Sequence, residues 1–483
     1  MSSSVHRHRP VEVAVGEGGS RRWWALVLLA FAQFMLIVDI TVVQVALPSI
    51  GEDLGLQRAA LTWVVTTYTL VFGGLMILGG RLADLLGARR TLLTGLVVFT
   101  AASLAAGMAG DAVVLIAGRA GQGVGAALMS PAALSILTTT FHGRDRTRAL
   151  GVWAAIGGAG AAIGVLLSGL LTAGPGWQWV FFVNLPIGVV VLALIPWLVR
   201  ADEPRDARRT LDAPGAVLVT AATAALIYGL VHAGDAGWSS TGTIAAISGA
   251  LIGYGAFVVV ESKVAMPLMK PQTLARRPVV SGAVLMVVAT GLLLGLFFLT
   301  SLYLQHVLHY SALRTGLLFL PVAVAITVGA QLGAHLIGRV GGRLVAAGGF
   351  ALVAVGAGLL TQISPGEGVG TAVLPGFVLA ALGVGPVFVT ATTTTLANVP
   401  SAESGVASGV VNTFHELGGS IGVAVVSTIA AASLSVAPVA DISGFTDAYL
   451  ASAIAAGVSA AVALALVPAG KPAPVAGHGH GHH

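Results

Sequence analysis

Apolar residues run along this chain in blocks of about twenty, the length a helix needs to cross a bilayer, and short polar turns part the blocks. Cutting the sequence at those turns predicts fourteen spanning helices. The first six run roughly from Trp23 to Leu47, Ala60 to Gly79, Thr91 to Ala109, Ala112 to Thr138, Ala149 to Thr172 and Trp179 to Val199. A basic connector leads to two more, Ala213 to His232 and Thr241 to Val260. A second leads to the last six: Val279 to Leu304, Leu313 to Ile337, Leu344 to Ile363, Ala372 to Ala397, Gly405 to Ala432 and Ala448 to Val467. The expected organisation is a tail over 1–22, a six-helix bundle over 23–199, a linker with two extra helices over 200–277, a second six-helix bundle over 278–467 and a His-rich tail over 468–483.

Composition agrees with an all-α integral membrane protein. Of 483 residues, 56% are hydrophobic and 9% charged, against about 25% charged in a soluble domain. The net charge of +5 does not point to nucleic acid, because the basic residues are scattered through short loops and form no stripe. Arg21, Arg22, Arg89, Arg90, Arg146, Arg277 and Arg343 fall on one side of the predicted bundle, and only Arg58 and Arg314 on the other. By the positive-inside rule both termini are cytoplasmic, with the first helix retained rather than cleaved as a signal peptide. There are no cysteines, so disulfide and thiolate chemistry are excluded. No cofactor is expected.

Two ionisable residues stand out inside the spans of the first half. Asp39 lies in FAQFMLIVDITVVQVALPSI, where a carboxylate costs roughly 2.5–3.5 kcal/mol to insert and marks an ion or substrate path. Arg119 lies in LIAGRAGQGVGAA, stays charged at any physiological pH, and shares a helix face with Gln122 and Gly123. At that depth it needs a counter-charge or a wet cavity. Burial raises a carboxylate's pKa and a nearby guanidinium lowers it, so helix movement between such groups would bind or release a proton. In the thirteenth span Ser408, Asn412, Glu416 and Ser420 recur every four residues as one polar stripe. Glu416, beside His415, is expected to face a cavity as a cation-binding or second proton site. Gln33, Gln44, Gln122, Asn412 and His415 are the polar candidates for lining that cavity.

The loop GRLADLLGARRTL resembles the signature loop of the major facilitator superfamily. Gly80 and Gly87 permit a tight turn, and Asp84, Arg89 and Arg90 supply the charges; the resemblance implies a conformational latch on the cytoplasmic side. A shift of 254 residues places Leu82 on Leu336, Gly87 on Gly341 and Arg89 on Arg343, a weak repeat that suits the two-fold architecture of that superfamily; Gly338 replaces Asp84 in the second copy. The Arg119 stretch resembles the family's proton-coupling motif, and Asp39, Thr41, Ala46, Leu47 and Pro48 resemble the first-helix motif of drug:proton antiporters. In GAGAAIGVLLSGLL, Gly160, Gly164 and Ser168, followed by Gly169, form a small-residue ladder for close packing. It resembles the exporters' motif at the interface of the halves, but Val165 stands where proline is expected. WQWVFFVNLPIG, LDAPGAVL and YLQHVLHYSALRTGLLFLP resemble fourteen-helix exporters of the EmrB/QacA type.

The resemblance implies proton-coupled efflux of small hydrophobic or amphipathic compounds from the plasma membrane by a protein acting as a monomer. A narrow metabolite exporter or a proton symporter on the same fold is the alternative. No HExxH or other catalytic constellation suggests an enzyme. The tail GHGHGHH could bind a metal but is expected to have no transport role.

Overall fold

The computed structural model describes residues 19–56, 58–201, 212–264, 275–363, 373–396, 404–434 and 442–469. These are helical almost throughout, in fourteen long helices. The first six are α1 Gly19–Leu54, α2 Arg58–Leu86, α3 Ala88–Gly107, α4 Ala112–Thr140, α5 Gly143–Ala173, and α6 in two segments, Trp179–Phe182 and Asn184–Leu198. Then come α7 Ala213–Ala236 and α8 Thr241–Lys263. The last six are α9 Arg277–Leu302, α10 Ala312–Val340, α11 Gly342–Leu360, α12 Leu374–Leu396, α13 Ser404–Leu434 and α14 Ser443–Leu466, with a π-helical turn Tyr303–Val307 closing α9. Twelve are long and apolar enough to cross a membrane. The other two, α5 and α13, are long enough at 31 residues each, but glycine, serine and charged residues dilute their apolar runs. The fold is thus two six-helix bundles, with a two-helix hairpin between them in the chain. The break in α6 follows from Pro186, which cannot donate a backbone hydrogen bond and so sits in the first turn of a restarted helix.

Helix ends are placed by local chemistry. Asp111 accepts from Val114 N at 2.9 Å to cap α4 and Asp212 from Gly215 N at 3.0 Å to cap α7. Gly87 turns the chain from α2 to α3 at φ 106° and Gly341 turns it from α10 to α11 at φ 84°. A side chain would be strained at either place. These glycines are 254 residues apart, and the same offset relates further glycines that make comparable close contacts. A Cβ on Gly79 of α2 would strike the backbone of Ala127 on α4, and one on Gly333 of α10 would lie 2.5 Å from Pro386 Cα on α12. A Cβ on Gly95 would lie 2.7 Å from Gly125 O, and one on Gly349 2.6 Å from Gly383 O. Helix pairs α2–α4 and α3–α4 therefore cross as α10–α12 and α11–α12 do, backbone against backbone, as small residues allow in membranes.

The bundles meet along two seams, α5 against α10 and α2 against α13. On the first, a Cβ on Gly151 would lie 3.2 Å from Ala334 Cβ, and Ala155 packs with Ala330 and Ala334. On the second, a Cβ on Gly409 would lie 2.7 Å from Met76 O. Both approaches lie in the halves of these helices nearest the chain termini, where Arg146 also reaches across to donate to Leu396 O at 3.1 Å. The hairpin lies against the α2–α13 seam through α7: Ile227 enters a notch at Gly73, and Leu230 packs with Leu417. Helix α8 leans on α7 and leaves most of its apolar surface, Leu251, Ile252, Val258 and Val259 among it, exposed.

Glycine is irreplaceable where helix backbones touch. A Cβ on Gly422 of α13 would fall on the backbone of Gly291 of α9. Gly422→Ala is expected to cost about 1–3 kcal/mol by overpacking. Gly457→Ala on α14, with nothing within 4 Å, is expected to stay within about 0.5 kcal/mol. Unfolding titrations of detergent-purified protein compare the two.

Candidate functional site

Five helices of the first bundle converge on Asp39, which lies near the middle of α1 and is fully buried. Arg119 of α4 donates from Nη1 to Asp39 Oδ2 at 2.5 Å. The other carboxylate oxygen accepts from Gln122 Nε2 at 2.7 Å and from Asn184 Nδ2 of α6 at 2.8 Å. Gln122 Oε1 accepts from Arg119 Nη1 at 2.8 Å, while its amide also donates to Ser103 Oγ of α3 at 2.8 Å. Arg119 Nε donates to the Val64 carbonyl of α2 at 3.0 Å. Its guanidinium lies 4.2 Å from the ring centroid of Tyr68, one turn further along α2, in cation–π range.

The electrostatics follow from burial. Arg119 is 1% and Asp39 0% exposed, so each charge has given up water at several kcal/mol. The ion pair and the neutral donors and acceptors around it offset that cost. Such a site can store one charge on each partner and is sensitive to anything that neutralises either.

Gln122, expected at the cavity, is instead fully buried within this cluster. Gln33 on α1 faces the same bundle, its Oε1 accepting from Ser130 Oγ at 3.2 Å. The side chain of Gln44 and the His-rich tail from 470 onward lie outside the described residues. On α13, Asn412 is buried, while the side chains of His415 and Glu416 are 37% and 15% exposed, with Nδ1 of the one 3.4 Å from Oε1 of the other. Glu416 is not joined to the Asp39 cluster by a hydrogen bond; it faces the α2–α13 seam, its Cβ 3.8 Å from where Gly73 would carry one. At the turn between α2 and α3, Gly80 and Asp84 are buried, Arg89 is half-buried and Arg90 exposed. The small-residue ladder of α5 faces α1 and not the other bundle: a Cβ on Gly160 would lie 2.8 Å from Ile37 Cγ2, Gly164 abuts Thr41, and Ser168 donates to Val42 O at 2.7 Å. Gly169 is half-buried beside it. The seam with α10 uses the opposite, earlier pair, Gly151 and Ala155. Among the described residues no group of three or more His, Cys, Asp or Glu is placed to hold a metal.

A family model described as the Major Facilitator Superfamily matches residues 29–423. The chain belongs to this superfamily. Among curated relatives of this transporter, the puromycin resistance protein pur8 of Streptomyces alboniger is 38% identical over 93% of the chain and 92% of its own length. The cephamycin export protein CmcT of Amycolatopsis lactamdurans is 39% identical over 89% of each. The multidrug resistance protein Stp of Mycobacterium tuberculosis is 34% identical over 85% of the chain and 76% of its own. Among solved structures, the human organic anion transporter MFSD10 (TETRAN) superposes with a TM-score of 0.64 at 14% identity, over 92% of this chain and all of its own; that likeness is one of fold.

Sequence reading missed Ser103, Asn184 and Tyr68. Asn184 sits in VNLPIG, where a polar residue just before a helix-restarting proline is a usable signal. Ser103 and Tyr68 sit in ordinary surroundings, and only the packing of α2, α3 and α4 brings them in. Removing one partner of a buried ion pair strands the other charge, at about 3–5 kcal/mol. Asp39→Ala and Arg119→Leu are each expected to lose that much stability, and Asp39→Leu with Arg119→Leu markedly less than their sum, measured by unfolding titrations in detergent.

Proposed function

We propose that this transporter is a proton-coupled antiporter that exports hydrophobic or amphipathic small molecules, antibiotics among them, by alternating access. The observation that carries the reading is the buried Asp39–Arg119 pair, in a chain whose relatives include proteins named for antibiotic resistance and export. The transporter lies in the plasma membrane with its basic side and both termini cytoplasmic, and works as a monomer. A proton reaching Asp39 cancels the charge that holds Arg119 and leaves the guanidinium with Gln122 Oε1 and the Val64 carbonyl. That change is felt on α1, which packs on α5 through Gly160, Gly164 and Ser168, and α5 in turn lies on α10 of the other bundle. Asp84, between Gly80 and Gly87, latches the cytoplasmic side together with Arg89 and Arg90 beyond the second glycine. Glu416 is a second proton or cation site, and Gln33, Asn412 and His415 contribute polar groups to the substrate path.

Energetically, one proton supplies about 1.4 kcal/mol per pH unit and about 2.3 kcal/mol per 100 mV, enough to hold a substrate gradient of one to two decades. A narrow-specificity exporter is the second reading, favoured by the single compounds that the names of two relatives carry.

Purified protein in weakly buffered detergent, challenged with a panel of lipophilic cations and neutral antibiotics, is expected to release protons on binding. Asp39→Asn is expected to abolish the release and Glu416→Gln to reduce it. Binding without proton release rejects coupling, and binding of one compound class alone selects the narrow exporter.

A further inference from the structure

The cluster around Asp39 uses nearly all of its hydrogen-bonding capacity, and the exception is on α6. Asp39 Oδ2 accepts from Arg119, and Oδ1 accepts from Gln122 Nε2 and Asn184 Nδ2. Ser103 Oγ accepts from the same two amides, at 2.8 Å and 3.4 Å. Gln122 Oε1 and the Val64 carbonyl both accept from Arg119. Asn184 is 1% exposed, yet its Oδ1 has no hydrogen-bond partner. An idle buried acceptor is costly, so its place in a site this closely paired calls for a reason.

Which way each amide points is fixed by charge. An ionised carboxylate only accepts, so Asn184 must offer Nδ2 to Asp39 while the aspartate is charged. Gln122 is committed at both ends, because turning its amide over would set an NH2 group against the Arg119 guanidinium, donor against donor. Asn184 carries no such commitment. Its terminal torsion is of the broad, roughly two-fold kind, and turning it breaks only the bonds made by Nδ2.

Protonation of Asp39 reverses the demand. Arg119 keeps Oδ2, so the proton adds at Oδ1, and the new O–H is a donor facing two amide NH2 groups. Ser103 Oγ, Gln122 Oε1 and the Val64 carbonyl are already in use, whereas Asn184 Oδ1 is free to accept. We propose that Asn184 is a positioning residue that serves both protonation states of Asp39: Nδ2 donates to the carboxylate, and after half a turn of the amide Oδ1 accepts from the carboxylic acid. A hydronium ion from the aqueous path gives up the proton, one O–H bond forms at Asp39 Oδ1, and no other covalent bond changes. The turn needs no helix to move, so Asp39 holds its proton while the five helices stay closed around it. The charged and titratable groups around Asp39 are Arg119 of α4 and, against that guanidinium, the Tyr68 phenol of α2. From α3 and α6 come the neutral Ser103 and Asn184, and α5 faces α1 with Gly160, Gly164 and Ser168.

This proposal rests on proton-coupled export through Asp39, and the test separates the two. The chain has three asparagines, Asn184, Asn398 and Asn412. Replacing Asn398→Gln and Asn412→Gln leaves Asn184 as the sole carrier of a carbon-13 label in the asparagine side-chain carbonyl. Infrared difference spectra between alkaline and acid pH are recorded on this protein in detergent, with and without Asp39→Gln. A carboxylic acid band that depends on Asp39 is expected at acid pH, and the labelled carbonyl, idle at alkaline pH, is expected to move to lower frequency with the same midpoint. A carboxylic acid band with an unmoved carbonyl overturns the switch and leaves coupling standing. A spectrum without any Asp39-dependent carboxylic acid band refutes proton binding at Asp39, and the switch with it. Should Asp39→Gln not fold, the carbonyl is followed against pH in the labelled protein alone, and a carbonyl that does not titrate overturns the switch. In liposomes, Asn184→Leu is expected to keep substrate affinity within about twofold and to lose about tenfold or more in efflux driven by a pH gradient, the scale set by an unpaired buried donor. Driven efflux at the wild-type rate overturns the switch, and so does a loss of affinity, which makes Asn184 a packing or substrate residue.

Discussion

A carboxylate and a guanidinium held together without water set the terms for the first bundle. Each charge costs several kcal/mol to desolvate, and their mutual attraction returns that only when geometry is tight and the remaining hydrogen-bonding capacity is used. The partners that complete the cluster come from α1, α2, α3, α4 and α6, so five helices must approach one point. The glycines of α4 make room. A Cβ on Gly118 would lie 2.9 Å from Ala106 Cβ on α3, one on Gly125 2.6 Å from Phe99 N, and one on Gly123 3.0 Å from Tyr68 O on α2. Small residues flanking Arg119 are thus the packing condition for burying it. In a bilayer, where apolar contact alone does not drive helices together, polar cluster and close crossings support each other.

The second bundle repeats the crossings without the cluster. Glycines at matched positions, Gly79 and Gly333, Gly87 and Gly341, Gly95 and Gly349, build the same helix geometry twice, yet their offset carries Asp39 onto Leu293, and the offset of 258 from Gly125 of α4 to Gly383 of α12 carries Arg119 onto Phe377. The architecture is two-fold and the chemistry is not. The second bundle's membrane carboxylate, Glu416, lies instead on α13, at the seam, where it meets the first bundle directly.

This asymmetry explains what was legible in the chain. Spans were legible because membrane helices are written in continuous apolar runs, and Asp39 and Arg119 because charge inside such runs is rare. Glu416 stood out for the same reason. Neutral polar residues carry a weaker mark or none: Asn184 is flagged only by the proline that follows it, Ser103 looks like any serine in a span, and Tyr68 like one of many aromatics. Gln122 shows the converse. Its polarity was evident, but whether it faced a cavity or completed an ion pair depended on which way α4 was turned, and that is decided by the glycines packing α4 against its neighbours. The ladder of α5 was recognised as a packing surface but set against the wrong neighbour, because a helix with small residues on two faces does not say which partner each face takes.

The central hairpin bears on how the bundles can move. Helix α7 touches α2 and α13 together, the two helices of one seam, so a change at that seam must disturb one set of contacts. Those with α2 are intimate: Ile227 fills the notch at Gly73, a Cβ on Gly74 would lie 3.3 Å from Ala224 Cβ, and Trp63 stacks on Tyr228 at 6.4 Å between centroids. Those with α13 are a side-chain cluster, in which Ile227 and Leu230 pack with Leu417 and with Phe414 and Ile421 against it, and, from the turn after α7, an exposed hydrogen bond from Trp238 to Thr428 at 3.0 Å. Backbone-close packing is rigid, because interiors at near-crystalline density do not deform by degrees, whereas an exposed hydrogen bond exchanges readily with water or lipid headgroups. The hairpin therefore meets the first bundle with side chains set against α2 backbone and the second through side chains alone, with Ile227 common to both contacts.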